Sequence, residues 1–268
     1  MNYLILEPKV KAIAPNIALM KWCRWCEQNG HKYQYVRGKV EPKITPDAIL
    51  MSCIFSYNSK VYEKTIDFYL KKSPKAKITV GGAFPSLNSK WFEKWNSAVT
   101  VHKGLCHEIE NLAPKYDVDI QSEDDNPYPR DKIVLYSSRG CSKKCSFCAV
   151  PRIEGDMKSF KSIRSSLESA RIEVPEAKSV VLYDNNFTDH PYFDNIINEL
   201  KDFGLPVDIH GLHVDSFTRH HAKRFAELKW CSQGENGSPY LRFSFDKLKY
   251  ADGIHKALRH VVGEDVKA

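Results

Sequence analysis

Apolar residues recur along the 268-residue chain in two rhythms. Short runs at 3–6, 33–36, 48–51, 77–80 and 98–101 have the length and composition of strands. Between them lie stretches in which apolar residues return every three to four positions, at 16–28, 62–71 and 91–95. Asn29-Gly30 supplies the stop for the first of these predicted helices. Strands alternating with amphipathic helices predict βαβ units around a parallel sheet. The rhythm resumes after residue 131, with predicted strands at 132–136, 179–183, 207–210 and 240–245. The matching helices fall at about 159–173, 193–203 (stopped by Gly204), 219–228 and 253–262. Four such units predict an α/β sheet of barrel type that stops after the fourth. Between the halves, residues 113–130 are polar and acidic, with Glu123-Asp124-Asp125-Asn126-Pro127-Tyr128-Pro129 at their end. That composition predicts an extended linker. The domain limits are therefore 1–115, a linker at 116–130, and 131–268.

Composition narrows the class. With 42% hydrophobic residues the chain can build two modest domains. No apolar run approaches the roughly 20 residues of a membrane helix, and no signal peptide is expected at its start. Eight cysteines in a chain of this length do not form a disulfide scaffold, and they suit a reducing cytoplasm. The net charge of +7 is compatible with RNA or another anionic substrate, although lysine-rich solvated surfaces are commoner.

The chemistry concentrates in Arg139-Gly140-Cys141-Ser142-Lys143-Lys144-Cys145-Ser146-Phe147-Cys148, directly after an apolar run. Cys141, Cys145 and Cys148 on one tight loop can ligate three irons of a [4Fe–4S] cluster and leave the fourth iron open to a small chelator. Gly140, Ser142 and Ser146 are small enough to bring backbone N–H groups toward the sulfurs. The competing reading is a zinc loop. Zinc requires a fourth ligand, and the next candidates are His190, His210, His213 and Cys231.

The spacing, with Phe147 before the third cysteine, resembles the signature of the radical S-adenosylmethionine (SAM) superfamily. The resemblance implies that SAM chelates the open iron. One electron from the cluster then cleaves it to methionine and a 5′-deoxyadenosyl radical. It also implies cofactor contacts from Phe147 and from Asp184-Asn185-Asn186, which stand where the family carries Gly-Gly-Glu to hold the SAM amino group. The departure keeps carboxylate and amide acceptors and loses the glycines. His210 ends the predicted third strand, and Arg242, Ser244 and Asp246 share one face of the fourth by the two-residue period. They are the candidates for SAM ribose and carboxylate contacts. The family's usual partial barrel has six units. The strand at 240–245 therefore has no successor, and its edge is expected to be covered by a second copy, another chain or a returning segment.

Residues 1–115 resemble the Rossmann-like cobalamin-binding domain that precedes many radical SAM cores. Asn16, Ser52 and Gly81-Gly82 carry the likeness. The DxHxxG motif of histidine-ligated cobalamin is replaced by Glu7-Pro8-Lys9-Val10-Lys11-Ala12. Base-off cobalamin stays open, and the reading favours no cobalamin. The N-terminal motifs by which methylthiotransferases bind a second cluster are not reproduced by Cys23, Cys26, Cys53 and Cys106. The sequence thus leads to a radical SAM enzyme with an unassigned substrate, RNA or a small molecule. The alternatives are a cobalamin-dependent methyltransferase, a methylthiotransferase-like RNA-modifying enzyme, and a non-enzymatic cluster or zinc protein.

Overall fold

The computed structural model describes residues 1–11, 16–123, 131–231, 241–244 and 246–263. The chain divides into two compact units, Met1–Arg130 and Asp131–Ala268.

The first unit is a six-stranded sheet built from β1 (Asn2–Glu7), β2 (Lys32–Arg37), β3 (Ala48–Ser52), β4 (Lys77–Gly81), β5 (Val99–Val101) and β6 (Ile120–Ser122). The strand order is β5-β4-β3-β1-β2-β6, and every pairing is parallel. Strands covered on both faces need apolar residues at successive positions, and Leu4, Ile5 and Leu6 are all fully buried. The helices are α1 (Ile17–Gln28), α2 (Ser59–Lys72), α3 (Ala83–Leu87) and α4 (His107–Glu110). One stripe of α2, with Tyr62, Ile66 and Tyr69, packs on Leu4, Leu6, Ile49 and Met51. Asn16 caps α1 by accepting from Leu19 N–H at 3.2 Å and donates its amide to Ser52 Oγ at 3.0 Å. That link joins the loops after β1 and β3, where the strand order reverses, which is the usual ligand crevice of such sheets.

The linker expectation requires correction. Tyr116 and Val118 are buried, and Ile120–Ser122 pairs with β2 as the sheet's edge. Acidic residues beyond it outweighed this short apolar segment in the pattern. Residues 124–130 lie outside the described part.

The second unit begins with β7 (Lys132–Leu135), β8 (Ser138–Arg139), α5 (Val150–Ile153), β9 (Lys158–Ser159) and α6 (Arg164–Glu173). It continues with β10 (Ser179–Leu182), α7 (Phe193–Phe203), β11 (Val207–Ile209), β12 (Leu212–His213), α8 (Arg219–Ala226), β13 (Phe243–Ser244) and α9 (Ala251–Val262). Its parallel sheet runs β11-β10-β7. The helix expected from 159 starts at Arg164, because Lys158–Ser159 pairs antiparallel with Ser138–Arg139.

The fourth strand also departs from expectation. Phe243–Ser244 pairs with Leu212–His213, beyond the end of β11, while Trp230 bridges Val207 lower on the same edge. The cause is a bend at Gly211, at φ +78°, where a Cβ would stand 2.5 Å from the Asp184 carbonyl oxygen. Position 240 and position 245 of the expected strand lie outside the described residues.

Candidate active site at the cysteine loop

The cysteine loop leaves the C-terminal end of β7, the edge at which parallel sheets of this type carry their chemistry. Its two sides are drawn together by the β8–β9 pair. Gly140 sits at φ +73° with the opposite side packed against it, where a Cβ would meet the Asp156 carbonyl at 2.3 Å. Cys141 N–H donates to Gly155 O at 3.3 Å, and Cys148 N–H to Cys145 O at 3.0 Å.

One carboxylate locks this neck. Glu154 accepts from the Arg139 guanidinium at 3.0 Å, from Gly140 N–H at 2.7 Å and from the Asn185 side-chain amide at 2.9 Å. Arg139 also lies 4.0 Å from the centre of the Tyr136 ring. A second tether joins the first half of the loop to the turn after β10. Asn186 donates to Ser142 Oγ and to Asp189 Oδ2, each at 2.8 Å, Ser142 donates to the same carboxylate, and Lys143 pairs with it at 3.4 Å. Burial opposes ionisation of Asp189. The Ser142 and Ser216 hydroxyls and the Lys143 charge outweigh it and hold the carboxyl below its ordinary range.

The Asp184-Asn185-Asn186 segment is therefore engaged with protein. Asp184, expected to hold a SAM amino group, is only 3% exposed and turns inward. It accepts from Ser137 Oγ at 2.8 Å, from Ser138 Oγ at 2.6 Å and from both of their backbone N–H groups. Burial pushes its carboxyl up, against these donors. Its acceptor sites are occupied by the segment that launches the cysteine loop. The Asn185 amide is committed to Glu154 and Gly140 O, and Asn186 to Ser142 and Asp189. These bonds tie the turn after β10 to the cysteine loop.

The remaining candidates do not form one row. Phe147 is 59% exposed, with Lys247 Nζ 5.9 Å from its ring. Arg242 turns from the expected face to pair with Asp208, and it also donates to His210 Nε2 at 2.7 Å. His210 packs against the Tyr183 ring at 4.8 Å. Ser244 is exposed and donates to Leu212 O at 3.4 Å, and Asp246 is exposed. The bend at Gly211 explains why a strict two-residue alternation fails here.

A cluster fits the donor set. Three thiols stand partly exposed on one loop, and Lys143 N–H approaches Cys141 Sγ at 3.3 Å. Burial raises the Cys141 thiol, Lys143 N–H opposes that rise, and the two neighbouring thiols add to it. The fit is one of donor type and exposure, since among the described residues no three His, Cys, Asp or Glu side chains, the loop thiols included, gather at metal-ligand spacing. His190 and His210 are engaged with protein, whereas His213 keeps a buried Nε2 without a hydrogen bond. His190 Nε2 lies 3.0 Å from Ser137 O, and His213 Nδ1 accepts from Asp215 N–H at 3.3 Å. Cys231 continues the bridge beside β11 by donating its N–H to Val207 O at 2.9 Å.

Sequence reasoning missed Glu154, Asp189, Asp208 and Gly211. Only Ser137-Ser138 before Arg139 carried a legible signal, two small donors ready for a buried acid. In the first unit, Lys9 pairs with Glu123 at 3.6 Å, and Gly82 lies so close to Cys53 that a Cβ would stand 2.5 Å from its carbonyl oxygen. Cys23 and Cys53 are fully buried, which raises their thiols. Burial and then Glu108, 3.0 Å from the sulfur, push Cys106 up to about 12.

No family model matches the chain. Over 68 residues, 25% of this chain and 15% of the other protein, it is 34% identical to the ribosomal protein uS12 methylthiotransferase RimO of Bdellovibrio bacteriovorus. Its fold is similar to that of the cobalamin-dependent SAM radical enzyme OxsB solved with aqua-cobalamin and SAM bound. The TM-score is 0.60 at 15% identity, covering 84% of this chain and 41% of OxsB. The structure of OxsB with aqua-cobalamin alone gives 0.62 at 15% identity, covering 86% and 43%. The chain thus spans less than half the length of these solved proteins. With the cysteine loop at the C-terminal edge of its second sheet, the chain thus shares the fold of OxsB over most of its length and a 68-residue stretch of sequence with RimO.

Proposed function

We propose that the chain is a radical SAM enzyme in which Cys141, Cys145 and Cys148 hold a [4Fe–4S] cluster and SAM occupies the open iron. The observation that carries this reading is the cysteine loop, clamped at the C-terminal edge of a parallel sheet in an OxsB-like fold. When bound, the cluster supplies the electron that cleaves SAM to methionine and a 5′-deoxyadenosyl radical. The chain's own residues position and shield. Glu154 sets the neck, Ser142 and Lys143 are tied to Asp189 so that Cys141 is aimed before the cluster binds, and Phe147 offers an apolar face for the SAM adenine. The buried Asp184 holds Ser137 and Ser138 so that the loop leaves the sheet in one direction.

Anaerobic reconstitution followed by iron and sulfide analysis, then incubation with SAM and dithionite, tests the reading. Bound iron and sulfide with formation of 5′-deoxyadenosine and methionine is expected. Zinc without sulfide, and intact SAM, would sink it.

A second reading has its own support. OxsB binds aqua-cobalamin, so the expectation that the first unit holds no cobalamin finds no support in the likeness. In this reading cobalamin sits at the C-terminal edge of the first sheet, near the Asn16–Ser52 link and Gly82, without a histidine ligand. Methyl transfer, or the methylthio transfer that the name of RimO states for that protein, would then be the downstream class. Among the described residues no helix is long and apolar enough to cross a membrane.

A further inference from the structure

We propose that Asp208, on the face of the second sheet that carries Tyr183 and His210, forms a substrate subsite for an uncharged N–H or O–H donor such as an amide or a hydroxyl. The proposal deepens the catalytic reading of this unit and rests on it.

Asp208 interrupts an apolar strand between Val207 and Ile209, yet it is only 5% exposed. By register it stands beside Val181, which stands beside Val134. Tyr183 and His210 follow two residues later and therefore lie on the same face of the sheet, toward its C-terminal edge. In parallel barrel-type sheets that edge is where binding groups collect.

The hydrogen bonds of this group leave one atom over. Asp208 Oδ1 receives the Arg242 guanidinium. The same Arg242 nitrogen donates to His210 Nε2 at 2.7 Å. A guanidinium only donates, so Nε2 presents its lone pair and the ring proton belongs on Nδ1. His210 Nε2 is also 3.5 Å from Asp208 Oδ2, but it has no hydrogen to give it. Oδ2 is buried and makes no hydrogen bond. A buried carboxylate oxygen without a donor is strongly unfavourable, and a retained one points to a partner that arrives from outside.

Charge selects the class of that partner. Asp208 and Arg242 already neutralise one another. An ammonium group would bring an uncompensated charge into a buried place, and a carboxylate would meet Oδ2 with like charge. A neutral N–H or O–H satisfies Oδ2 without either penalty.

The test uses the full chain with three small probes: acetamide, ethylamine hydrochloride and sodium acetate. Crystals soaked with acetamide are expected to show its N–H on Asp208 Oδ2, with neither charged probe bound there. In solution, acetamide binding to Asp208→Asn should be at least tenfold weaker. A water molecule that stays on Oδ2 against acetamide, or ethylammonium in its place, overturns the proposal. Thermal melting is the second arm. Acetamide should raise the midpoint of the parent, and the rise should be absent in Asp208→Asn. An equal rise in the two proteins would sink the proposal. If the parent fails to cleave SAM while acetamide still binds, the catalytic reading falls and the subsite stands.

Discussion

Glu154 joins three donors from two separate segments. Arg139 and Gly140 enter the cysteine loop and Asn185 follows β10, and all converge on one carboxylate whose side chain is 13% exposed. Removing the carboxylate takes an ion-pair partner from a largely buried arginine. Glu154→Ala should therefore destabilise the protein by about 3 kcal/mol and lower the iron retained after gel filtration. Glu154→Gln, which keeps an acceptor, should fall between the two. Equal melting and equal iron in Glu154→Ala and the parent would show that the neck does not depend on it. His190 sets a pH dependence at the same scale. Burial lowers its pKa, so the unfolded chain binds its proton more readily than the folded one. Its contribution to stability is present above about pH 6.5 and is lost as pH falls below that value. Melting midpoints of the parent should drop between pH 7 and pH 5.5, and the drop should be smaller in His190→Gln. An identical profile in the two proteins would exclude His190 as a source.

At the scale of elements, glycine sets where the third barrel strand ends. Gly211 combines a positive φ with backbone on the side where a Cβ would project, so Gly211→Ala must shift either β12 or the Asp184 turn. A loss of about 2 kcal/mol or more is expected from the denaturation midpoint. A change below about 0.5 kcal/mol would mean that the bend tolerates a side chain. The strands themselves were legible because apolar runs of four to six residues between amphipathic stretches leave few alternatives. The 3.6-residue pattern of 159–173 was read too long, since it cannot distinguish a helix's first turn from a short antiparallel pair such as Lys158–Ser159 with Ser138–Arg139.

For the whole molecule, the first unit offers the sharpest test. Lys9 replaces the histidine of the DxHxxG motif and pairs with Glu123. After reconstitution with hydroxocobalamin, any cobalamin retained through gel filtration should give a base-off spectrum. A base-on spectrum from nitrogen ligation would contradict this assignment. The acidic stretch read as a linker instead begins inside the sheet. β6 adds three residues to β2, a contribution too short for periodicity to reveal. The fourth strand was read as one continuous edge, whereas Trp230 and Phe243–Ser244 divide that edge between them.

The sequence alone determined the two α/β units, their parallel strands and the three-thiol loop, because these depend on local spacing. Hydrophobic period selects strand or helix over a few residues, and three cysteines within eight positions need no distant partner to be recognised. The identity of the groups that support the loop was decided by tertiary structure. Glu154 and Asn185 meet across 31 positions, Ser138 and Asp184 across 46, and Asp208 and Arg242 across 34. A carboxylate at such separations carries no mark of its partner in the chain. Strand register and the bend at Gly211 bring the donors to it, and so decided which polar residues hold the site and which atom is left for a ligand.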